Sequence, residues 1–234
     1  MSLSVVIGIQ ARSTNTRLPG KCKMKIGGIS MLDRVIYSVS KSALYLNQGK
    51  GDVKVTPCLL TPHDDPLSSE YRSKIMTFEG SEDDVLTRYN VAMKALNPDY
   101  LVRITSDSPL IPPFVITKHI LTATKHGFDY TSNVDPDVRT CPDGWDTEVI
   151  SKKLFNWCND NATSNYDREH VTTLIRESPP DWARFAHLVA YGDFSQLKFS
   201  VDTEGDLEFV RGMYDIMERK LERAKKSAEG CFRI

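Results

Sequence analysis

The segment Val5-Val6-Ile7-Gly8-Ile9, five small or branched apolar residues in a row almost at the start of the chain, admits few folds. A run without alternation is buried on both faces, the condition of a central strand in a parallel sheet. The residues that follow, Gln10-Ala11-Arg12-Ser13-Thr14-Asn15-Thr16-Arg17-Leu18-Pro19-Gly20-Lys21, put three cations into a loop of Ser, Thr, Asn and Gly, with Pro19-Gly20 forcing a tight turn beside the last. Open α/β sheets bind ligands at the carboxyl ends of their strands, where such a loop offers N–H groups and positive charge to an anion. A polyphosphate is the ligand this implies. The glycine spacing is that of neither the P-loop nor the dinucleotide fingerprint. On charge count alone, a solvated basic surface loop accounts for the same residues equally well.

A chain of 234 residues suits one large α/β domain and buries a sizeable core. Its 30 basic and 31 acidic residues leave a net charge of −1, so no global footprint for nucleic acid exists and any anion binding is local. Cys22, Cys58, Cys141, Cys158 and Cys231 are scattered, odd in number and form no C-x-x-C pair, which argues against a disulfide framework or structural zinc. They read as reduced thiols. With no leader-like segment and no apolar run of membrane-spanning length, the expectation is a soluble cytoplasmic protein with no membrane partner.

Periodicity predicts a helix over Ser30 to Leu46 capped by Ser30 and ended by Asn47 to Gly51, then a strand over Val53 to Leu60 in which Pro57 marks an edge position or an early end. A turn at 61–66 leads to a short helix, and a short strand follows near Ile75 to Phe78. Ser81 is the expected cap of a helix that stops before Asn97-Pro98. Tyr100 to Ile104 is the next strand, delivering Thr105 to Leu110 to the same sheet edge as the basic loop if crossovers are right-handed. Further on come a proline-started helix over Pro112 to His126, a strand at Phe128 to Tyr130 and a long loop over Ser132 to Gly144. A strand over Trp145 to Ile150, helices near Ser151 to Asn159 and Tyr166 to Glu177, strands at Phe185 to Ala190 and Leu197 to Val201, and a terminal helix over Thr203 to Ala228 complete the chain.

Asp107 and Asp202 each follow an apolar strand directly. Two strand-end carboxylates facing a basic loop suit Mg²⁺, which takes one or two carboxylates and completes its shell with phosphate and water. Asp206, in the first turn of the terminal helix, has a sufficient structural reason in the helix dipole. Asp143, Asp146 and Glu148 flank the end of the long loop, and Asp167-Arg168-Glu169-His170 opens a helix. Taken alone, these charges are most simply a solvated, ion-paired turn. Neither H-E-x-x-H nor G-x-S-x-G is present.

In order along the chain, Gln10-Ala11-Arg12, Arg17-Leu18-Pro19-Gly20-Lys21, Gly80 to Leu86, Arg103-Ile104-Thr105-Ser106-Asp107-Ser108-Pro109-Leu110, Pro142 to Asp146 and Asp167 to Thr172 resemble the cytidylyltransferase family, most closely its spore coat polysaccharide biosynthesis protein F branch. The resemblance implies a three-layer α/β/α fold of the nucleotide-diphospho-sugar transferase type with a mostly parallel central sheet, related to CMP-sialic acid and CMP-octulosonate synthetases. It implies a single domain over 1–234 with an acceptor-side excursion around 132–190, CTP as co-substrate, Mg²⁺, and a homodimer as a candidate assembly. By position, Gln10, Ala11, Arg12, Arg17, Lys21, Gly80, Ser81 and Asp107 would bind the nucleotide, with Arg12, Lys21, Asp107 and Asp202 catalytic and Asp107 and Asp202 on the metal. Asp143, Asp146, Glu148, Arg168, Glu169 and His170 would meet the acceptor, a sugar or sugar acid. Two departures stand out: Ser13-Thr14-Asn15 replaces Met-Gly-Ser, and Ser106 replaces glycine.

The reaction expected is in-line attack of an acceptor oxygen on the α-phosphorus of CTP with loss of pyrophosphate. A glycosyltransferase using a nucleotide-sugar and a non-catalytic nucleotide-binding regulatory protein are the alternatives. Of the three, only attack on CTP expels pyrophosphate.

Overall fold

A computed structural model of the chain describes residues 2–49 and 53–231, with the side chains of 225–231 outside that description. The opening apolar run forms β1 (Leu3–Gln10). The other strands are the short hairpin pair β2 (Lys25–Ile26) and β3 (Ile29–Ser30), then β4 (Val53–Pro62), β5 (Met76–Gly80), β6 (Tyr100–Thr105), β7 (Tyr130–Ser132), β8 (Glu148–Ser151) and β9 (Phe185–His187). Seven make one sheet in the order β5-β4-β1-β6-β8-β7-β9. The pairings β1·β4, β1·β6, β4·β5 and β7·β9 are parallel, while β8 runs antiparallel to both neighbours. β1 therefore has a parallel strand on each side, as its uninterrupted apolar run requires.

Helices cover both faces of this sheet. On one, Val5, Ile7 and Ile9 pack with Leu32, Val35 and Val39 of α1 (Met31–Gln48) and with Ile116 and Ile120 of the proline-started helix Pro113–His126. On the other, Val6, Leu101 and Ile150 meet Leu86 and Tyr89 of Val85–Leu96 and Leu154 and Phe155 of Lys152–Asn161. The helices are α1, α2 (Pro66–Tyr71), α3 (Val85–Leu96), α4 (Pro113–His126), α5 (Lys152–Asn161), α6 (Asn165–His170), α7 (Thr173–Glu177) and α8 (Glu204–Cys231). The result is the expected three-layer arrangement. A third cluster joins Leu18 of the basic loop to Val201, Leu207 and Val210, fastening that loop to the start of α8. No helix among the described residues is long and apolar enough to cross a membrane.

Several expectations need correction. β4 is an internal strand that continues to Pro62, because β5 covers it only from Cys58 onward and Pro57 lies on the uncovered part, where a missing N–H costs nothing in the ladder. Asp84, not Ser81, caps α3, accepting from Thr87 N, and Ser81 Oγ instead accepts from Asp84 N. The helix expected over Tyr166 to Glu177 is broken in two by Val171, a buried β-branched residue held at φ 65°. Leu197 to Val201 forms no strand and contributes one isolated bridge between Asp143 and Lys198. The strands near 128 and 145 begin two or three residues late, at Tyr130 and Glu148. The 3-10 turn Lys21–Lys23 and the β2–β3 hairpin have no periodicity to announce them. Gln48 extends α1, and Lys50 and Gly51, in its predicted terminating turn, lie outside the described residues, as does the Cys231 side chain.

Gly144 holds the long loop against the 199–200 segment. At φ 93°, a methyl group there would meet the backbone at 2.5 Å from Ser200 N and 2.6 Å from Phe199 C. Gly28, at φ 81°, has open space around the same position. Both substitutions to Ala carry backbone strain of about 1–2 kcal/mol, but only Gly144→Ala adds an overpacking cost of about 1–3 kcal/mol. Urea unfolding is expected to show the larger loss for Gly144→Ala. Equal losses would mean that the loop moves freely away from its neighbour.

Candidate active site

The carboxyl ends of β1 and β6 lie side by side, with Gln10 opposite Thr105. The chain leaving β1 turns through Gly20, at φ 70°, into the 3-10 turn that begins with Lys21. This buries the Lys21 side chain, and its Nζ donates to the Val201 carbonyl at 2.8 Å. The same nitrogen lies 3.3 Å from Asp107 Oδ2 and 3.3 Å from Asp202 Oδ1. One ammonium thus draws together carboxylates from β6 and from the start of α8. Arg17 reaches Asp202 at 3.9 Å from an exposed position, and Lys198 Nζ touches the other Asp202 oxygen at 3.3 Å.

Burial would raise the Asp202 carboxyl, but the Lys21 charge, with the Lys198 hydrogen bond and charge, outweighs it and holds the group below the ordinary aspartate value. Asp206 stands apart. Against the opposing effect of burial, a hydrogen bond from Lys198 and the N–H groups of Asp202 and Thr203 hold it at about 2. It closes the first turn of α8, as its position in the sequence implies.

These groups border a cleft of about 280 Å³. Gln10, Ala11, Arg12, Arg17, Lys21, Asp107, Glu169, His170 and Asp202 line it. Gly80, Ser81, Asp143, Asp146, Glu148 and Arg168 lie outside the lining. Gly80 leaves room for Arg88, since a Cβ would come within 2.9 Å of Arg88 Cγ, and the Ser81 carbonyl accepts from Arg88 Nε at 2.7 Å. Asp143 accepts from the Ser200 hydroxyl at 2.7 Å. Asp146 pairs with Arg139 at 2.7 Å, and burial pushes its carboxyl up to about 6. Arg168 pairs with Asp84 at 2.5 Å and ties α6 to the cap of α3. Glu148 is buried on β8 beneath Arg103.

Arg88 and Arg103 also line the cleft, although the sequence assigns neither a role there. A signal for Arg103 was present, because an arginine inside the apolar run of β6 has to find a partner. Arg88 sits one turn into an amphipathic helix, where a cation ordinarily faces water. Only the bend of the β5–α3 connection brings it inward, and there Nη2 donates to the Glu82 carbonyl at 2.6 Å.

Asp107 and Asp202 converge on one point and offer only hard oxygen donors, which suits Mg²⁺ sharing its shell with phosphate and water. No group of three or more His, Cys, Asp or Glu side chains among the described residues would hold a metal unaided. The donor set therefore fits an ion that arrives with an oxygen-rich ligand.

A family model described as "Cytidylyltransferase" matches residues 5–227. The chain is 30% identical over 210 residues to the spore coat polysaccharide biosynthesis protein SpsF of Bacillus subtilis (strain 168), covering 88% of this chain and 84% of that protein. Its fold is similar to that of a cytidylyltransferase from Leptospira borgpetersenii serovar Hardjo-bovis (strain JB197), with a TM-score of 0.77, 23% identity and 95% of each chain covered. It is also similar in fold to a CMP:2-keto-3-deoxy-manno-octonic acid synthetase solved with CTP, with a TM-score of 0.65, 18% identity and coverage of 92% of this chain and 99% of that one.

Removing the Lys21 charge tests this electrostatic arrangement. A depressed carboxyl value contributes stability that is present above the unfolded value near pH 4 and is lost as pH falls through the folded value. In Lys21→Met the Asp202 carboxyl is expected to titrate higher by carbon NMR, and acid unfolding is expected to depend less on pH below 4. An unchanged Asp202 titration would transfer the effect to Lys198.

Proposed function

The chain belongs to the cytidylyltransferase family, and on that premise we propose that it transfers CMP from CTP to a hydroxyl of a sugar or sugar acid, releasing pyrophosphate. The observation that carries this reading is the Lys21 ammonium between Asp107 and Asp202 beside a loop that presents Arg12 and Arg17 to the same cleft. A triphosphate needs such a place, with cations for its oxygens and carboxylates for its counter-ion.

Arg12 and Arg17 bind phosphate oxygens from the exposed side of the cleft, and Lys21 does so from below. The acceptor oxygen attacks the α-phosphorus, its bond to the pyrophosphate oxygen breaks, and the hydroxyl proton passes to solvent. The loop cations stabilise charge on the departing pyrophosphate, so catalysis is mostly positioning and neutralisation. Asp107 and Asp202 would hold Mg²⁺, which supplies further neutralisation of phosphoryl charge when bound. Cys22, Cys58, Cys141 and Cys158 are buried free thiols, which suits a reducing cytoplasmic setting.

Nucleotide choice tests the proposal first. CTP with Mg²⁺ is expected to raise the melting temperature more than ATP, GTP or UTP, since a ligand that binds only the native state stabilises it by mass action. Equal shifts for all four would remove the base-specific part of the reading.

Single-turnover CMP transfer tests the two carboxylates. Asp107→Asn and Asp202→Asn are each expected to collapse turnover, with the double variant little worse than the weaker single one, because groups that act as a unit are not additive. Full activity in Asp202→Asn would reduce that residue to a partner of Lys21 and Lys198. In Arg12→Ala, loss of one charge-assisted contact of about 1.5–3 kcal/mol is expected to weaken CTP binding roughly ten- to a hundred-fold.

A further inference from the structure

Asp65, just before α2, is buried, and among the described residues it enters no ion pair. Its Oδ1 accepts from Leu67 N at 2.9 Å and so caps that helix. A cap needs no charge, because serine, threonine or asparagine supplies the same oxygen without a carboxylate to be taken out of water. The second oxygen gives the charge a reason. Oδ2 accepts from both the backbone N–H and the hydroxyl of Ser13, at 2.8 and 3.1 Å, and an ionised acceptor holds such donors more strongly than a neutral one. Serine at 13, where the family pattern has methionine, adds the hydroxyl half of this contact.

Ser13 follows Arg12, and the backbone on both sides of Arg12 is tied down. Ala11 N donates to the Leu60 carbonyl at 3.0 Å, the Arg12 carbonyl accepts from Cys22 Sγ at 3.3 Å and from Asn15 Nδ2 at 3.2 Å, and Ser13 N donates to Asp65. Leu60 and Asp65 belong to one stretch, the end of β4 and the turn after it, in which Asp64 is held at φ 58°. The chain leaving β1 is therefore laid against that turn. The Arg12 side chain, in contrast, is half-exposed and lines the cleft. A cation free at its tip and fixed at its base has fewer conformations to lose when an anion binds. The next residue differs: Thr14 Oγ1 donates to Glu82 at 2.7 Å, but Glu82 is half-exposed and holds a hydroxyl rather than the backbone.

Resting on the cytidylyltransferase reading, we infer that Asp65 is a positioning residue for the nucleotide-binding loop, fixing through Ser13 the backbone from which Arg12 reaches the triphosphate. Neither Asp65 nor Ser13 lines the cleft, so the effect of this carboxylate on nucleotide binding passes through its neighbour.

The test measures CTP affinity by titration calorimetry with Mg²⁺, using the full chain, and follows the fold by thermal unfolding. Asp65→Asn keeps the capping oxygen but turns an N–H₂ group toward the Ser13 donors. Asp65→Ser also caps α2 and is too short to reach Ser13. Each is expected to weaken CTP binding about ten-fold, and no more than Arg12→Ala does. Added to Arg12→Ala, Asp65→Asn is expected to weaken binding by less than about two-fold further, since both changes act on one contact. The salt dependence of CTP affinity is expected to flatten in Asp65→Asn as it does in Arg12→Ala, a change that a merely structural role would not produce. Glu82→Gln, at the exposed contact, is expected to leave CTP affinity within about two-fold. CTP affinity unchanged in Asp65→Asn, losses that multiply in the double variant, or an equal loss in Glu82→Gln would each overturn the inference. Failure of both Asp65 variants to fold would make the residue structural and overturn it as well. These outcomes leave the cytidylyltransferase reading intact, whereas wild-type protein that fails to bind CTP would remove both.

Discussion

A single buried ammonium joins three parts of the chain that are far apart in sequence. Lys21 contacts Asp107, Asp202 and the Val201 carbonyl, which come from the end of β6 and the approach to α8. Without that cation, two carboxylates would face each other at the edge of a sheet, and like charges at close range favour protonation or separation. With it, the basic loop, the strand end and the last helix share one anchor. The apolar cluster of Leu18, Val201, Leu207 and Val210 joins the same loop to the same approach to α8. The charges remain matched to a ligand rather than only to each other, because the loop still holds Arg12 and Arg17 largely in the open.

The cleft combines two kinds of cation. Arg12 and Arg17, in the loop, are the exposed ones, with 45% and 74% of their side chains accessible. Arg88 and Arg103 are rigid: one is stapled to the Ser81 and Glu82 carbonyls, the other is backed by Glu148 and Tyr130. Rigidity of this kind costs burial of charge and returns geometric selectivity. Val171, a β-branched residue at positive φ immediately after Glu169 and His170, shows the same economy. Its backbone strain turns the chain so that those two side chains reach the cleft instead of continuing a helix past it.

Much of this was legible before any coordinates. The uninterrupted run at Val5 to Ile9 predicts a central parallel strand, and the helices with clear 3.6-residue periodicity stand where their patterns put them, because local pattern and burial agree along those segments. The basic loop and Asp107 could be placed at one sheet edge from strand order and crossover handedness alone. Short elements fared worse. Leu197 to Val201 has a strand's composition, yet its only bridge among the described residues is that of Lys198 to Asp143.

The sequence by itself therefore determined the class of fold and singled out the basic loop and the two strand-end aspartates, because each is a local pattern along the chain. Tertiary structure decided which charges line the cleft and which are paired outside it. Asp143, Asp146, Glu148 and Arg168 look alike in a motif, but their partners come from other elements: Ser200, Arg139, Arg103 and Asp84. Whether a charge is free for a substrate depends on desolvation and on what stands opposite it across the sheet. Those quantities are set by register and packing, and a linear sequence does not contain them until it folds.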